Sequence, residues 1–132
     1  MPTVKEIEEV LKLDAEKRFR YTIKRIADWQ SVWIIGTTNG LKTYSDDNGQ
    51  IYFPIWPFGE FAALCCTDMY LDCKPEALEL DFFRKEYVQD FKERKVKLAI
   101  FPLPTGRGTE NGTIMNVEEF EQWLQEELDE YY

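Results

Sequence analysis

The chain of 132 residues contains no histidine. That absence removes Ser-His and Cys-His nucleophile pairs, histidine-ligated zinc and imidazole proton shuttles. Cysteine is scarce as well: Cys65, Cys66 and Cys73 are the only three. An odd number with two members adjacent is a poor disulfide framework, so reduced thiols in a cytoplasm are expected. Cys73 lies beyond the end of the helix expected to carry the other two, so no intramolecular disulfide is expected either. Long apolar runs are missing. The longest, Leu98 to Pro104, has seven residues, two of them prolines, against the roughly 20 that cross a bilayer. No secretory signal is visible at the N-terminus, where Pro2 and Thr3 lead into a charged segment.

Basic charge is in deficit. Sixteen Lys and Arg face 25 Asp and Glu, a net charge of −9. A general nucleic-acid binder needs a basic stripe, and an anionic membrane surface needs one too, so neither partner is expected. The imbalance is local: residues 109–132 hold eight acidic residues and no Lys or Arg. A partner protein with a basic patch would suit that end; a solvated helix face is the plainer explanation.

What is abundant is aromatic: nine Phe, seven Tyr and four Trp make 15% of the chain. This composition forms a packed core and is not that of a disordered chain. Thr3 and Glu6 have capping-box spacing ahead of Val4, Ile7 and Leu11, which predicts a short first helix. Asp14 can cap a second, with Phe19, Ile23 and Ile26 inward. Val32 to Ile35 reads as a central strand. Asn39-Gly40 and Asp46 to Gly49 are turn signals, and the strands around them read as a three-strand antiparallel meander ending at Ile51 to Ile55. Pro54 places the last strand near an edge or near its end. A helix is expected after Pro57, with Phe58, Phe61, Ala62, Cys65 and Met69 on one face. Ala77 to Leu80 reads as extended. Asp81 should cap a further helix with Phe83, Tyr87 and Phe91 inward. Val96, Leu98 and Ile100 predict a strand, and Thr113 to Met115 a brief one. Asn116 and Glu119 form a second capping box, opening a helix with Val117, Phe120, Leu124, Leu128 and Tyr131 inward. The expected fold is α+β: a small antiparallel or mixed sheet, the meander plus one or two strands, packed with about five helices. No repeat or linker divides the chain, so one domain over 1–132 is expected, with 1–13 a short helix or an arm.

Four patterns invite a chemical reading. Gly106-Arg107-Gly108 with Gly112 lacks the spacing and the following helix of a phosphate loop, so a flexible hairpin-type loop is the better reading; Arg107 alone keeps an anion contact open. Asp46 to Gly49 has its glycine too early for a calcium loop. The three cysteines lack a fourth soft ligand, and Asp68 or Asp72 would have to complete a site, so no metal is expected. The corner Phe53-Pro54-Ile55-Trp56-Pro57-Phe58 is either a recognition surface carrying Trp56 and Phe58 or a core corner where strand meets helix.

The elements Trp33, Tyr52-Phe53-Pro54-Ile55-Trp56-Pro57, Glu79 to Phe83 and Ile100-Phe101-Pro102-Leu103-Pro104, in that order, resemble a bacterial family catalogued as domain of unknown function 2750. The resemblance runs from about Asp14 to the end. It implies a bacterial, cytoplasmic protein and no particular mechanism. More distantly, a strand entering a Pro-aromatic helix start, with an acidic helix later, is similar to SseB-type secretion-enhancer N-terminal domains. The reading that results is a small acidic, non-catalytic interaction or accessory protein without a cofactor. Its expected surface carries Trp56, Phe58, Glu118 and Glu121. A homo-oligomer is compatible with the sequence. The alternative is a small-ligand or anion binder, or an enzyme, using Arg107, tyrosines and carboxylates beside the glycine-containing loop.

Overall fold

A computed structural model of the chain describes residues 2–38, 40–66, 73–104 and 112–131. Two N-terminal helices, α1 (Val4–Leu11) and α2 (Ala15–Trp29), open it. Each starts where a side-chain oxygen meets an orphan N–H: Thr3 Oγ1 accepts from the Glu6 amide at 3.1 Å, and Asp14 Oδ1 accepts from the Lys17 amide at 2.9 Å. Tyr21 and Arg25 of α2 both reach the Glu6 carboxylate and hold α1 down. Strands β1 (Ser31–Thr37), β2 (Gly40–Leu41), β3 (Tyr44–Ser45) and β4 (Ile51–Ile55) follow, then α3 (Gly59–Ala63) and β5 (Lys74–Glu79). Helices α4 (Leu80–Glu86) and α5 (Val88–Arg94) abut one another, and β6 (Lys97–Ile100), β7 (Thr113–Asn116) and α6 (Val117–Tyr131) end the chain. The architecture is α+β, with two sheets and the helices packed on them.

The expected meander is divided between the two sheets. One has the order β2-β1-β5, antiparallel throughout; the other has the order β3-β4-β6-β7, with β4 and β6 parallel. The strand read as the middle of the meander breaks at Lys42 and Thr43. Before the break, Leu41 pairs with Gly36; after it, Tyr44 pairs with Tyr52. Two short sheets diverge there, and each lays an apolar face on a shared core. Among the described residues their backbone link is one bridge, in which the Trp33 amide donates to the Trp56 carbonyl at 3.0 Å and the Trp56 amide returns the bond at 2.9 Å. Pro54 sits in a strand with neighbours on both sides. It is tolerated because β3 pairs only with Ile51 and Tyr52, so the open flank begins before it.

Two helix starts differ from expectation. α4 begins at Leu80, ahead of Asp81, and has no side-chain cap; the Leu80 amide instead donates to the Gln30 carbonyl at 2.9 Å. Tertiary backbone therefore anchors the helix start where the sequence pointed to a carboxylate cap. α3 is shorter than the apolar periodicity implied, and Met69 lies outside the described residues.

The core is aromatic. Phe61 packs at a tilt on Phe101 with centroids 4.7 Å apart, Phe53 likewise on Phe91 at 4.9 Å, and Phe83 meets Phe120 edge-on at 6.2 Å. Arg18 is buried among these rings at 4% exposure. Its guanidinium donates to the Leu13 carbonyl at 2.8 Å and to the Phe101 carbonyl at 3.4 Å, and it lies over the Phe101 ring. A buried cation is retained because carbonyls and a ring face replace its water.

Gly59 opens α3 directly against the Trp33 indole. A Cβ there would lie 2.8 Å from Cζ3 of that ring. The Trp33 backbone is fixed by the bridge, so the ring has little room to retreat. Gly59→Ala is expected to lose about 1–3 kcal/mol in denaturant titration, despite alanine's better helix propensity. A variant as stable as the parent would show that the ring moves freely.

Candidate interaction surface

The two motif pieces of the sequence hold each other in the interior. Trp56 Nε1 donates to the Pro102 carbonyl at 3.0 Å, the Phe101 amide donates to the Ile55 carbonyl at 2.9 Å, and Cys65 Sγ contacts the same Pro102 carbonyl at 3.5 Å. Trp56 is 0% exposed and Phe58 4%. Phe58 is covered by Trp29, with centroids 5.8 Å apart, and by Tyr21 at 6.5 Å. The reading of Trp56 and Phe58 as surface residues is therefore corrected: the corner is core. The physical reason is that the indole N–H, the polar handle a surface tryptophan would offer, is already used by a buried carbonyl.

The acidic end behaves differently. Asn116 Oδ1 accepts from the Glu119 amide at 2.9 Å and starts α6 where the capping box placed it. Val117, Phe120 and Leu124 are buried, Leu128 is half-buried, and Tyr131 is exposed with Lys24 over its ring at 5.2 Å. The inward stripe is thus shorter than the periodicity suggested. Glu118 points to solvent. Glu121 does not stand free: Arg84 Nε donates to it at 3.0 Å, and the same guanidinium reaches Gln125 at 3.1 Å. Glu121 docks α6 onto α4 instead of offering its charge outward.

The outer arc of α6 holds a residue that the sequence reading passed over. Trp123 is 39% exposed. Its edge packs on Phe19 at 5.2 Å, and Arg20 lies 5.6 Å from its ring centre. Together with Glu119, Gln122 and Glu126 it lines a shallow cleft of about 190 Å³. These four positions follow the i, i+3, i+4, i+7 spacing of one helical face. Glu119 and Glu126 form no ion pair with a described residue. The signal was available in the sequence: a large indole that falls beside the stripe 117, 120, 124 must lie at the boundary of the buried face.

Positive charge collects elsewhere. Asp46, Tyr52, Arg94, Lys95 and Lys97 line an open cleft of about 490 Å³. Arg94 is paired with Asp90 at 2.7 Å. The Asp46 carboxylate is held below the usual carboxylate range by the Gln50 amide, the Tyr52 hydroxyl at 2.9 Å and the Asn48 amide. A fixed negative charge in the cleft opposes an incoming anion.

Cys65 and Cys66 follow α3, and Cys73 precedes β5. Cys65 is buried, and Cys66 and Cys73 are half-buried. Burial pushes Cys65 up to about 11; burial and a hydrogen bond with Cys73 push Cys66 up to about 12, with Lys42 opposing both shifts. Among the described residues no group of three or more Cys, Asp and Glu is arranged to hold a metal ion, and no helix is long and apolar enough to cross a membrane. Arg107, Asp68, Asp72 and the loop of Gly106 and Gly108 lie outside the described residues.

A family model described as a protein of unknown function, DUF2750, matches residues 19–124. No curated protein matches the chain.

Proposed function

The chain belongs to the DUF2750 family, and from that premise we propose that it is a non-catalytic interaction module of the bacterial cytoplasm that presents α6 to a basic segment of a partner protein. One observation carries the reading: an exposed tryptophan flanked, on one helical face, by two carboxylates that form no ion pair with a described residue. Arg20 already lies over the indole, so an incoming guanidinium or ammonium gains charge-assisted hydrogen bonds from the glutamates and packs its stem on the exposed part of the ring, and a short basic peptide can present several such groups in register. Glu118 extends the face at its N-terminal end, whereas Glu121 serves the fold. The alternative site around Arg107 has no described geometry, and the Lys97 cleft carries the opposing Asp46 carboxylate.

The test is a titration of the full chain with a short arginine-rich peptide, followed by tryptophan fluorescence and calorimetry. Binding is expected to weaken as salt rises from about 50 to 500 mM. The pair Glu119→Gln and Glu126→Gln is expected to weaken it about tenfold, and Trp123→Ala by a similar factor. Absence of binding at low salt, or binding indifferent to all three changes, would refute the reading.

A further inference from the structure

The chain carries a basic segment of its own. Residues 92–97 read Lys-Glu-Arg-Lys-Val-Lys, the most basic six-residue stretch of the sequence. The turn from α5 to β6 holds it in a fixed shape. Lys95 takes the left-handed conformation at φ 57, the Val96 amide donates to the Phe91 carbonyl at 2.9 Å, and Phe91 and Val96 are both buried. Inward apolar side chains on either side of a left-handed cap close a Schellman-type turn. Lys92, Lys95 and Lys97 stay exposed around it. Gln50 braces the turn from the β3–β4 side, its Nε2 donating to the Lys95 carbonyl at 2.8 Å. Arg94 is engaged by Asp90, but none of the three lysines forms an ion pair with a described residue. They line a cleft of about 270 Å³ together with Gln50, Asn116 and Glu118. Two carboxylates face them, Glu118 in this cleft and Asp46 in the adjoining one, and positive charge remains in excess.

We propose that the basic partner of α6 is this segment on a second copy of the chain, with Glu119 and Glu126 of one copy meeting Lys92 and Lys95 of the next; the inference rests on α6 being a face for basic segments. Within one copy the two surfaces cannot meet. Glu119, Trp123 and Glu126 share a cleft on α6 beside Phe19 and Arg20 of α2, whereas the α6 residue on the lysine cleft is Glu118. Glu119 and Glu126 stand roughly 10 Å apart along the helix axis, at about 1.5 Å per residue. Two flexible lysine stems from one turn can span that separation and place an ammonium on each carboxylate. Copies of net charge −9 repel one another at long range, so contact is favoured only in the orientation that sets lysines against glutamates. The two surfaces differ, so the contact is head-to-tail, and it either propagates as an open chain of copies or closes as a ring.

Sedimentation velocity of the full chain at about 100 mM salt is expected to show a mean mass that rises with concentration and falls back to the monomer as salt approaches about 500 mM. The charge-reversed pairs Glu119→Lys with Glu126→Lys, and Lys92→Glu with Lys95→Glu, should each sediment as monomers. An equimolar mixture of the two should associate again, because the lysines kept by the first face the glutamates kept by the second. Where a reversed pair loses its thermal transition, the neutral pairs Glu119→Gln with Glu126→Gln and Lys92→Gln with Lys95→Gln take its place, and each should weaken association about tenfold. A parent chain that is monomeric at every concentration, association that survives alteration of either pair, or a mixture of folded variants that stays monomeric would each overturn the proposal. Binding of the arginine-rich peptide by a chain that stays monomeric would sink this inference and leave the role of α6 standing; absence of both would sink the two together.

Discussion

Replacing Trp56 by alanine is expected to remove about 3–5 kcal/mol of stability by the loss of packing alone, before the hydrogen bond is considered. The indole is fully buried, and its Nε1 is the partner of the Pro102 carbonyl. Pro102 is itself buried, so its carbonyl loses that partner in a place water reaches poorly. Leaving such an acceptor unsatisfied costs about 1–3 kcal/mol more. The sum approaches the whole stability of an ordinary domain of about 5–15 kcal/mol, so Trp56→Ala is expected to be largely unfolded at 37 °C. Trp56→Phe separates the two contributions. It retains most of the apolar volume and forfeits the N–H, and should fold with its stability lowered by about 1–3 kcal/mol. Urea titration followed by circular dichroism checks both. Near-parental stability of the alanine variant would mean that the two motif pieces are not held together through this indole.

Truncation before Val117 has a comparable expected effect. It removes Val117, Phe120 and Leu124 from the core, worth about 5–9 kcal/mol at 1.5–3 kcal/mol each. It also exposes Phe83 and Phe19, and leaves Arg84 without Glu121. The shortened chain is expected to lose its cooperative thermal transition. If it melts at the full-length temperature, α6 is a loosely attached appendage, and the acidic face has no rigid platform. Charge changes on the outer arc, Glu119→Gln and Glu126→Gln, serve as the control, because they touch no core contact and should leave the transition where it is.

Local chemistry was the legible part of this fold. Thr3, Asp14 and Asn116 each predict a helix start from a short side chain that reaches an amide three residues on, and all three bonds are present. The strands at 31–37 and 51–55 announce themselves as runs rich in β-branched and aromatic residues, and the strand at 97–100 by the alternation of Val96, Leu98 and Ile100. What the sequence could not express was pairing at a distance. β4 lies parallel to β6 with Phe53 opposite Leu98, and no local pattern distinguishes that from the hairpin stack read at first. The same limit explains α4: its first amide is satisfied by Gln30, fifty residues earlier in the chain. Arg18 was illegible for another reason. Its burial depends on a carbonyl at Phe101 and on the ring beside it, and a charged residue on a helix is ordinarily read as solvent-facing. Trp56 and Phe58 are instructive in the opposite sense. Their residue types suit a recognition surface and a core equally well, and only Trp29, Tyr21 and Pro102 decide between the two. The short stripe of α6 and the engagement of Glu121 by Arg84 likewise depend on what α2 and α4 present.

The single bridge between Trp33 and Trp56 has a mechanical consequence. Among the described residues it is the only backbone bonding between the two sheets. A reciprocal pair of hydrogen bonds at one point resists sliding and separation, but resists rotation weakly. Rotation of one sheet against the other is opposed instead by the rings wedged around the bridge, Phe61 and Phe101 among them. The relative motion of the two sheets expected from this bonding is a torsion with its axis through that joint, its stiffness set by side-chain volume. Trimming a ring there would first loosen the twist, visible as faster flipping of neighbouring aromatics in NMR spectra, while the amides of Trp33 and Trp56 at the axis kept their protection from exchange.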